Sequence, residues 1–261
     1  MDSAILYAIK RLLRILDSRW ASKTTQVQFR GRSFEFYSTY WWSDVSQSLL
    51  ESEIAPYFAA LEDNFQPSVI VDVGAATGHF AVLAAKFFPD STVYAFEPSE
   101  RQRILLARNA RLNGVRNLEI EPIGLWNYPA ELAFRTNGAE SSIESVSRFR
   151  GRLPFLERIS VLPLDQWASE KSITGIELIK IDAEGAEIEV LEGARAVLER
   201  DHPLLLVQAY HLREGARTLE RCADILHKHH YTTDEDSEQT GLLRACYLTQ
   251  SKWDKNRARK E

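Results

Sequence analysis

The chain has 261 residues, of which 44% are hydrophobic and 26% are charged, and its formal net charge is −5. This length and composition exclude general disorder and predict one large folded α/β domain with a shorter appendage. The acidic net charge argues against a dedicated nucleic-acid-binding protein, because such domains present a strongly basic face.

Cysteine usage and the lengths of the apolar runs predict a cytoplasmic location. Cys222 and Cys246 have neither metal-ligand spacing nor a disulfide framework, which favours a reducing compartment. The sequence has no apolar run of the roughly 18 to 20 residues that a membrane-spanning helix needs. No signal-peptide cleavage site follows the first segment.

Residues 1–65 are predicted to form an N-terminal extension. Within it, residues 4–17 place apolar side chains at helical spacing and basic side chains on or beside the other face. This amphipathic helix would pack on the domain or on a second copy of the chain. The alternative is attachment to an anionic membrane surface.

An aromatic cluster at residues 34–44 precedes a predicted helix from Ser46 to about Leu61. Aromatic rings in such a position are more often core, but they can also stack on sugars or apolar molecules. The candidate contacts to a bound acceptor molecule are Tyr40, Trp41 and Trp42.

From residue 66 to residue 251 the pattern alternates between strands and helices. Strands are predicted at residues 68–73, 92–97, 117–122, 176–182, 203–209 and 242–249, and helices near 78–88, 99–113, 187–199 and 215–229. This alternation predicts a mainly parallel sheet with helices on both faces.

Other segments interrupt or end that alternation. Two short extra strands, near residues 131–135 and 158–165, flank a polar loop. Residues 231–241 are polar enough to predict a turn or mobile loop. Residues 252–261 are predicted to be a frayed, charged tail.

The most informative segment joins the first of these strands to its helix through the pattern D-x-G-x-x-x-G, formed by Asp72, Gly74 and Gly78. Glycines let a ligand approach the backbone closely, and Glu97, before Pro98 at the next strand end, offers an acceptor for ribose hydroxyls. A dinucleotide loop would read G-x-G-x-x-G, whereas an acid at Asp72 repels phosphate. The pattern therefore favours S-adenosylmethionine, which has no phosphate, over a nicotinamide dinucleotide.

Further polar residues fall at the carboxyl ends of later strands, where open α/β sheets bind ligands. Asp182 and His211 are the two candidates to accept a proton from a reacting hydroxyl, and Glu184 would orient the acceptor or begin a helix. Gln208 is a candidate acceptor contact that cannot act as a base. Asp182 with Asp165 or Glu184 offers oxygen ligands for magnesium, but no dense acidic cluster requires one, and we predict no metal site.

The string from Leu178 to Ala194 reads LIKIDAEGAEIEVLEGA. Together with the glycine loop, it resembles the FkbM family of S-adenosylmethionine-dependent methyltransferases, whose pattern is close to I-K-I-D-x-E-G-x-E-x-x-V-L-x-G-A. The resemblance covers roughly residues 67–250 and includes the segment 160–165, which ends in Leu-Asp. Many members carry Glu at the position of Gln208, so a mechanism that uses that carboxylate is excluded here.

The resemblance implies a class I methyltransferase fold with a seven-stranded sheet, and O-methylation of a sugar or another small hydroxyl compound. Asp182 would lie beside the sulfonium and the acceptor, and the polar segment that ends at Ser142 would close near the acceptor. The implied cofactor contacts are Asp72, Gly74, Ala75 and Gly78 at the methionine half, Glu97 at the ribose, and Pro98, Ser99, Leu125 and Trp126 near the adenine.

The acceptor itself is left open, because acceptor pockets come from loops and not from the shared sheet. A sugar of a glycolipid, polysaccharide or glycosylated natural product is the leading hypothesis. The alternatives are methylation of nitrogen or a carboxylate on a small molecule or peptide, and a non-catalytic binding partner built on a methyltransferase scaffold.

Overall fold

The computed structural model describes residues 23–38, 46–136, 142–143, 155–213, 215–234 and 241–248. The predicted amphipathic helix at residues 4–17, the candidate contacts Tyr40, Trp41 and Trp42, and the charged tail lie outside the described residues. Within the described part of the chain, no helix combines the length and apolar character needed to cross a bilayer.

The first described element is a hairpin that the sequence did not predict. Strands β1 (Lys23–Phe29) and β2 (Arg32–Ser38) pair antiparallel around Arg30 and Gly31, which both have positive φ. Positive φ at both central residues is typical of the tight turns that suit the twist of a hairpin. The predicted helix at 46–61 follows as α1 (Gln47–Leu49), a π-helical turn (Leu50–Ile54) and α2 (Ala55–Ala59).

From residue 69 onward, strands and helices alternate as predicted. The strands are β3 (Val69–Val73), β4 (Thr92–Phe96), β5 (Leu118–Glu121), β6 (Gly124–Leu125), β7 (Ala130–Thr136), β8 (Ser142–Ile143), β9 (Phe155–Leu162), β10 (Ile176–Ile181), β11 (Leu204–Gln208), β12 (Leu212–Arg213), β13 (Ala216–Arg217), β14 (Tyr231–Thr233) and β15 (Leu242–Tyr247). The helices are α3 (His79–Phe87), α4 (Glu100–Leu112), α5 (Leu164–Glu170), α6 (Glu187–Glu192), α7 (Arg195–Asp201) and α8 (Thr218–Lys228).

The central sheet has seven strands in the order β14-β15-β11-β10-β3-β4-β5. Strand β15 runs antiparallel to both neighbours, and the other pairs are parallel. This confirms the predicted, mainly parallel seven-stranded sheet. The chain proceeds outward from β3 in one direction and from β10 in the other, so the switch point lies between these two strands. The loops after β3 and β10 are therefore neighbours at the edge where ligands bind.

Two core clusters cover the two faces of this sheet. Ile70 packs with the hairpin, the helical segment, α3 and α4, whereas the next residue, Val71, packs with α5, α6, α7 and α8. Burial on both faces explains why β3 reads as a nearly continuous apolar run.

Two asparagine side chains link the hairpin to the sheet domain, the buried Asn109 of α4 and the partly exposed Asn113 at the C-terminal end of that helix. Asn109 accepts a hydrogen bond from Tyr37 N (2.8 Å) and donates one to the carbonyl oxygen of Thr77 in the glycine loop (2.8 Å). Asn113 makes a reciprocal pair of hydrogen bonds with the backbone of Glu35. Asn109 thus bridges the N-terminal hairpin and the loop that carries the cofactor motif. The domain boundary predicted at residue 66 stays a prediction.

Three local predictions were wrong. Residues 231–233 form an edge strand instead of a loop, because the buried Tyr231 side chain anchors an otherwise polar segment. The predicted strand at 158–165 starts earlier, and Leu164 already begins α5. The predicted helix at 187–199 is divided at Gly193, whose carbonyl oxygen accepts a hydrogen bond from Asp165 N (3.0 Å).

Candidate active site

The glycine loop is held between the ends of β10 and β4. Gly74 has φ +73°, and a Cβ at this position would lie 1.9 Å from the carbonyl oxygen of Asp182. Gly74 N and Ala75 N both donate to the carbonyl oxygen of Phe96, at 3.1 and 3.0 Å. Gly78, with φ +90°, precedes α3, and a Cβ there would lie 2.8 Å from Leu106. Both glycines are therefore needed for backbone geometry and close packing.

Glu97 lies buried beside this loop, at the end of β4. Its carboxylate accepts hydrogen bonds from Ala76 N (2.9 Å) and Ser99 N (2.8 Å). Burial raises the pKa of Glu97 to about 7, although these two N–H groups act in the opposite direction. Arg103 fixes the following turn by donating to the carbonyl oxygens of Glu97 and Pro98. The predicted ribose acceptor is thus preorganised next to the glycine loop.

Asp72 forms a buried ion pair with Lys180. The Lys180 Nζ lies 3.0 Å from Asp72 Oδ1 and donates to the carbonyl oxygen of Gly74 at 3.1 Å. Burial raises the pKa of Asp72, and Lys180 opposes that shift. Because the Asp72 side chain is fully buried, it shapes the loop through Lys180 and has no exposed surface for a ligand. Its charge is balanced locally, which weakens the argument that it repels phosphate.

Asp182 follows β10 and faces a tyrosine from the N-terminal helical segment. Its backbone N–H donates to the carbonyl oxygen of Val73 (3.1 Å), and its Oδ2 accepts a hydrogen bond from the Tyr57 hydroxyl (3.1 Å). The other oxygen, Oδ1, is buried and has no hydrogen-bond partner among the described residues. A buried acceptor without a partner is costly, so this oxygen is suited to receive a ligand's proton or a cation.

His211 lies between two glutamates. Its Nε2 is 3.2 Å from Glu184 Oε2, and its Nδ1 is 3.0 Å from Oε1 of the fully buried Glu187. Burial acts to lower the pKa of His211, but the two carboxylates outweigh it and raise that pKa to about 10. In this arrangement the imidazole holds its proton at neutral pH, so Asp182 is the better placed of the two predicted proton acceptors.

The turn after β10 brings Glu184 to this histidine. Glu184 has φ +51° and Gly185 has φ +100°, so the backbone reverses direction before α6 begins at Glu187. Burial raises the pKa of Glu184, His211 opposes this shift, and Asp182 adds to it. One ligand atom from each of Asp182, Glu184 and His211 lies within 4.8 Å of the others. The structure therefore brings the three predicted catalytic residues together.

The other predicted residues have different surroundings. Asp165 does not join the acidic group, because its carboxylate accepts from Ala196 N and Val197 N at the start of α7. Leu125 packs in the core beneath the sheet. Trp126 is buried in a small cluster beside Ala186, and its indole Nε1 has no hydrogen-bond partner in the described part of the chain.

The two remaining predicted acceptor contacts lie in strands. Gln208 is partly exposed at the end of β11. Ser142 lies in β8, and its side chain is outside the described residues.

Two important contacts were missed by sequence reasoning. Tyr57 lies in a segment whose apolar spacing predicts only a helix, and no motif marks its hydroxyl. Glu187 lies in the first turn of α6, where the helix dipole favours acids, and that position alone predicts an exposed side chain. Its complete burial is a tertiary effect, although the histidine 24 positions later in the sequence was a usable signal for a partner.

The strand order, the glycine loop at the switch point and the acids at the strand ends are those of a class I methyltransferase fold. A solved structure described as a putative SAM-dependent methyltransferase from Streptococcus mutans shares this fold, with a TM-score of 0.50 and 10% sequence identity. The similarity covers 87% of this chain and 56% of that chain.

The family model described as the methyltransferase FkbM domain matches residues 72–237, so the chain belongs to this family. Methyltransferase 1 of Beauveria bassiana (strain ARSEF 2860) is 28% identical over 144 residues, and methyltransferase sdnD of Sordaria araneosa is 31% identical over 156 residues. Each match covers 48% of this chain, and the chain spans 58% and 59% of the two relatives.

Proposed function

We propose that this protein transfers a methyl group from S-adenosylmethionine to a hydroxyl group on a sugar of a glycolipid, polysaccharide or glycosylated natural product. The observation that carries the proposal is the meeting of the glycine loop with Asp182, whose carbonyl oxygen would be 1.9 Å from any Cβ at Gly74. Cofactor loop and acceptor-side carboxylate are thus adjacent. Membership of the FkbM family supports this assignment.

The residues around the glycine loop fit the cofactor. The Glu97 carboxylate is a buried acceptor at the strand end where ribose hydroxyls bind in related nucleotide sites. Gly74 and Gly78 have no side chains that could block a ligand, and Lys180 joins the loop to Asp72 through its hydrogen bond to the Gly74 carbonyl oxygen. When bound, the cofactor would supply a methyl carbon activated by a positively charged sulfur.

The chain's part in the reaction is alignment and removal of a proton. The acceptor oxygen would bond to the methyl carbon while the carbon–sulfur bond breaks and leaves its electron pair on sulfur. The hydroxyl proton needs an acceptor within hydrogen-bonding reach. Asp182 Oδ1 is the best candidate, because it is buried and has no hydrogen-bond partner among the described residues.

A second candidate function is methylation of an amine. Three carboxylates, from Asp182, Glu184 and Glu187, surround one imidazole, and this negative charge would also suit a cationic acceptor. A carboxylate acceptor is disfavoured by the same charge.

Methyl-labelled S-adenosylmethionine incubated with parallel panels of glycans and amines tests these alternatives. Label on hydroxyl acceptors supports the proposal, and label confined to amines supports the second candidate. Calorimetric binding of the cofactor without label on any acceptor would favour a non-catalytic partner.

A further inference from the structure

We propose that Asp182, Glu184 and His211 form a binding site for one divalent metal ion. Their ligand atoms lie within 4.8 Å of one another. Ligands bound at about 2.1 Å around an octahedral ion are separated by about 3 to 4.2 Å. Small side-chain adjustments would therefore bring all three atoms into contact with one ion.

The second observation is the support behind the histidine. Glu187 is fully buried, and its Oε1 accepts from Gly185 N (2.9 Å) while lying 3.0 Å from His211 Nδ1. A carboxylate on one ring nitrogen is the usual device that orients a metal-binding imidazole and directs the other nitrogen to the ion. Here that other nitrogen, Nε2, faces Glu184. An ion bound there would take the place of the Nε2 proton, so the proton that His211 holds in the ion-free protein would be released on binding.

Unpaired buried oxygens supply a third observation. Asp182 Oδ1 and Glu187 Oε2 are buried without hydrogen-bond partners among the described residues. The two nearby basic side chains already have other partners. Lys180 pairs with Asp72, and Arg213 pairs with Glu189 at 2.7 Å. A bound cation would satisfy Asp182 and balance the surplus of carboxylates.

The ligand set indicates the type of ion. Carboxylates suit Mg²⁺, Ca²⁺ and Mn²⁺, whereas imidazole suits first-row transition metals. Mn²⁺ accepts both and is the appropriate probe for two carboxylates and one imidazole.

The catalytic consequence rests on the proposed methyl transfer, but ion binding does not. An acceptor hydroxyl bound to the ion would become more acidic and lose its proton to solvent water at the partly exposed side of Glu184. The resulting oxygen would bond to the methyl carbon while the carbon–sulfur pair moves to sulfur. Asp182 would then hold the ion instead of accepting the proton.

Titration of Mn²⁺ into the full-length, chelator-stripped protein, followed by the electron paramagnetic resonance signal of free Mn²⁺, tests the site directly. We expect one bound ion per chain and at least about tenfold weaker binding in Glu184→Gln. Glu199→Gln is the matched control, because Glu199 forms a similar pair with His229 (3.0 Å) on the exposed surface. The control should bind Mn²⁺ like the unmodified chain. Circular dichroism establishes that each variant is folded.

Two results would overturn the metal site: no binding at millimolar Mn²⁺ by the folded protein, or equal binding by Glu184→Gln and the unmodified chain. Cofactor calorimetry in the same samples separates this proposal from the proposed function. Mn²⁺ binding without cofactor binding would leave the metal site and reject the methyltransferase. Labelled product in the presence of chelator, made by a folded protein that binds no Mn²⁺, would reject the metal site and leave the methyltransferase.

Discussion

The Tyr57 hydroxyl donates a 3.1 Å hydrogen bond to Asp182, although the two residues are 125 positions apart. Tyr57 precedes the part of the chain that matches the family model, which begins at residue 72. Its ring packs edge-on against Phe80 of α3, with centroids 5.6 Å apart. A residue from the N-terminal segment therefore helps to position the central carboxylate of the candidate site.

Replacing Tyr57 with Phe should slow methyl transfer more than it affects cofactor binding. The substitution keeps the ring against Phe80 but removes the hydroxyl that orients Asp182. Loss of one such hydrogen bond corresponds to about 1 to 1.5 kcal/mol, or about tenfold in turnover. Turnover and calorimetric affinity should be compared with those of Tyr128→Phe, which alters an exposed tyrosine. Equal losses of affinity and turnover would contradict a positioning role.

Asp182→Asn should nearly abolish turnover while leaving cofactor affinity within a few-fold. Asparagine keeps the size of the side chain but can neither accept a proton as readily nor bind a cation as strongly, so we expect a rate loss of about 100-fold or more. Single-turnover measurements with labelled cofactor give the rate. Asp90→Asn, at an exposed turn, controls for the change of charge. Full activity of Asp182→Asn would remove Asp182 from the mechanism.

Gly74→Ala should destabilise the fold much more than Gly114→Ala. Both glycines have positive φ, but a Cβ at Gly74 would collide with the Asp182 carbonyl oxygen, whereas a Cβ at Gly114 has no neighbour within 4 Å. The shared backbone strain corresponds to about 1 to 2 kcal/mol, and the collision adds about 1 to 3 kcal/mol. Urea unfolding gives the free energy of unfolding of both variants. Similar losses in the two would show that the close approach of Gly74 to Asp182 does not matter for stability.

The raised pKa of Glu97 predicts how the stability of the fold depends on pH. The folded chain keeps this proton up to about pH 7, whereas an ordinary glutamate releases it near 4.5. Between these values the folded state binds more protons, so the free energy of unfolding falls as pH rises, by on the order of 3 kcal/mol. Glu97→Gln has no carboxyl proton to release, so it does not show this loss of stability. The stability of the unmodified chain relative to Glu97→Gln should therefore fall between pH 4.5 and 7 and then level off, whereas a constant difference would contradict the buried acid.

The parts of the site that the sequence predicted best are those that depend on strand ends. Asp182, Glu184 and His211 follow two parallel neighbouring strands, and the carboxyl ends of such strands meet at one edge of the sheet. Their meeting could therefore be expected without coordinates. The family motif between residues 178 and 194 strengthened that expectation.

Other parts depend on tertiary contacts that leave no local pattern. The hairpin at residues 23–38 was missed because its aromatic side chains were interpreted only as a cluster, although Phe34 and Phe36 alternate with polar residues. No sequence pattern predicted the ion pair between Lys180 and Asp72, since it forms only when β3 and β10 become neighbours. The environment that makes His211 retain its proton likewise arises from burial of Glu187.

Calorimetric titration of S-adenosylmethionine into the full-length protein tests the central claim most directly. We predict binding of one cofactor molecule per chain, weakened by about tenfold or more in Glu97→Gln, which would lose the charge-assisted hydrogen bonds that we propose Glu97 makes to the ribose. Glu119→Gln, on the neighbouring strand β5 and exposed, should bind like the unmodified chain. Absence of binding by the folded protein, or equal binding by Glu97→Gln, would contradict the account.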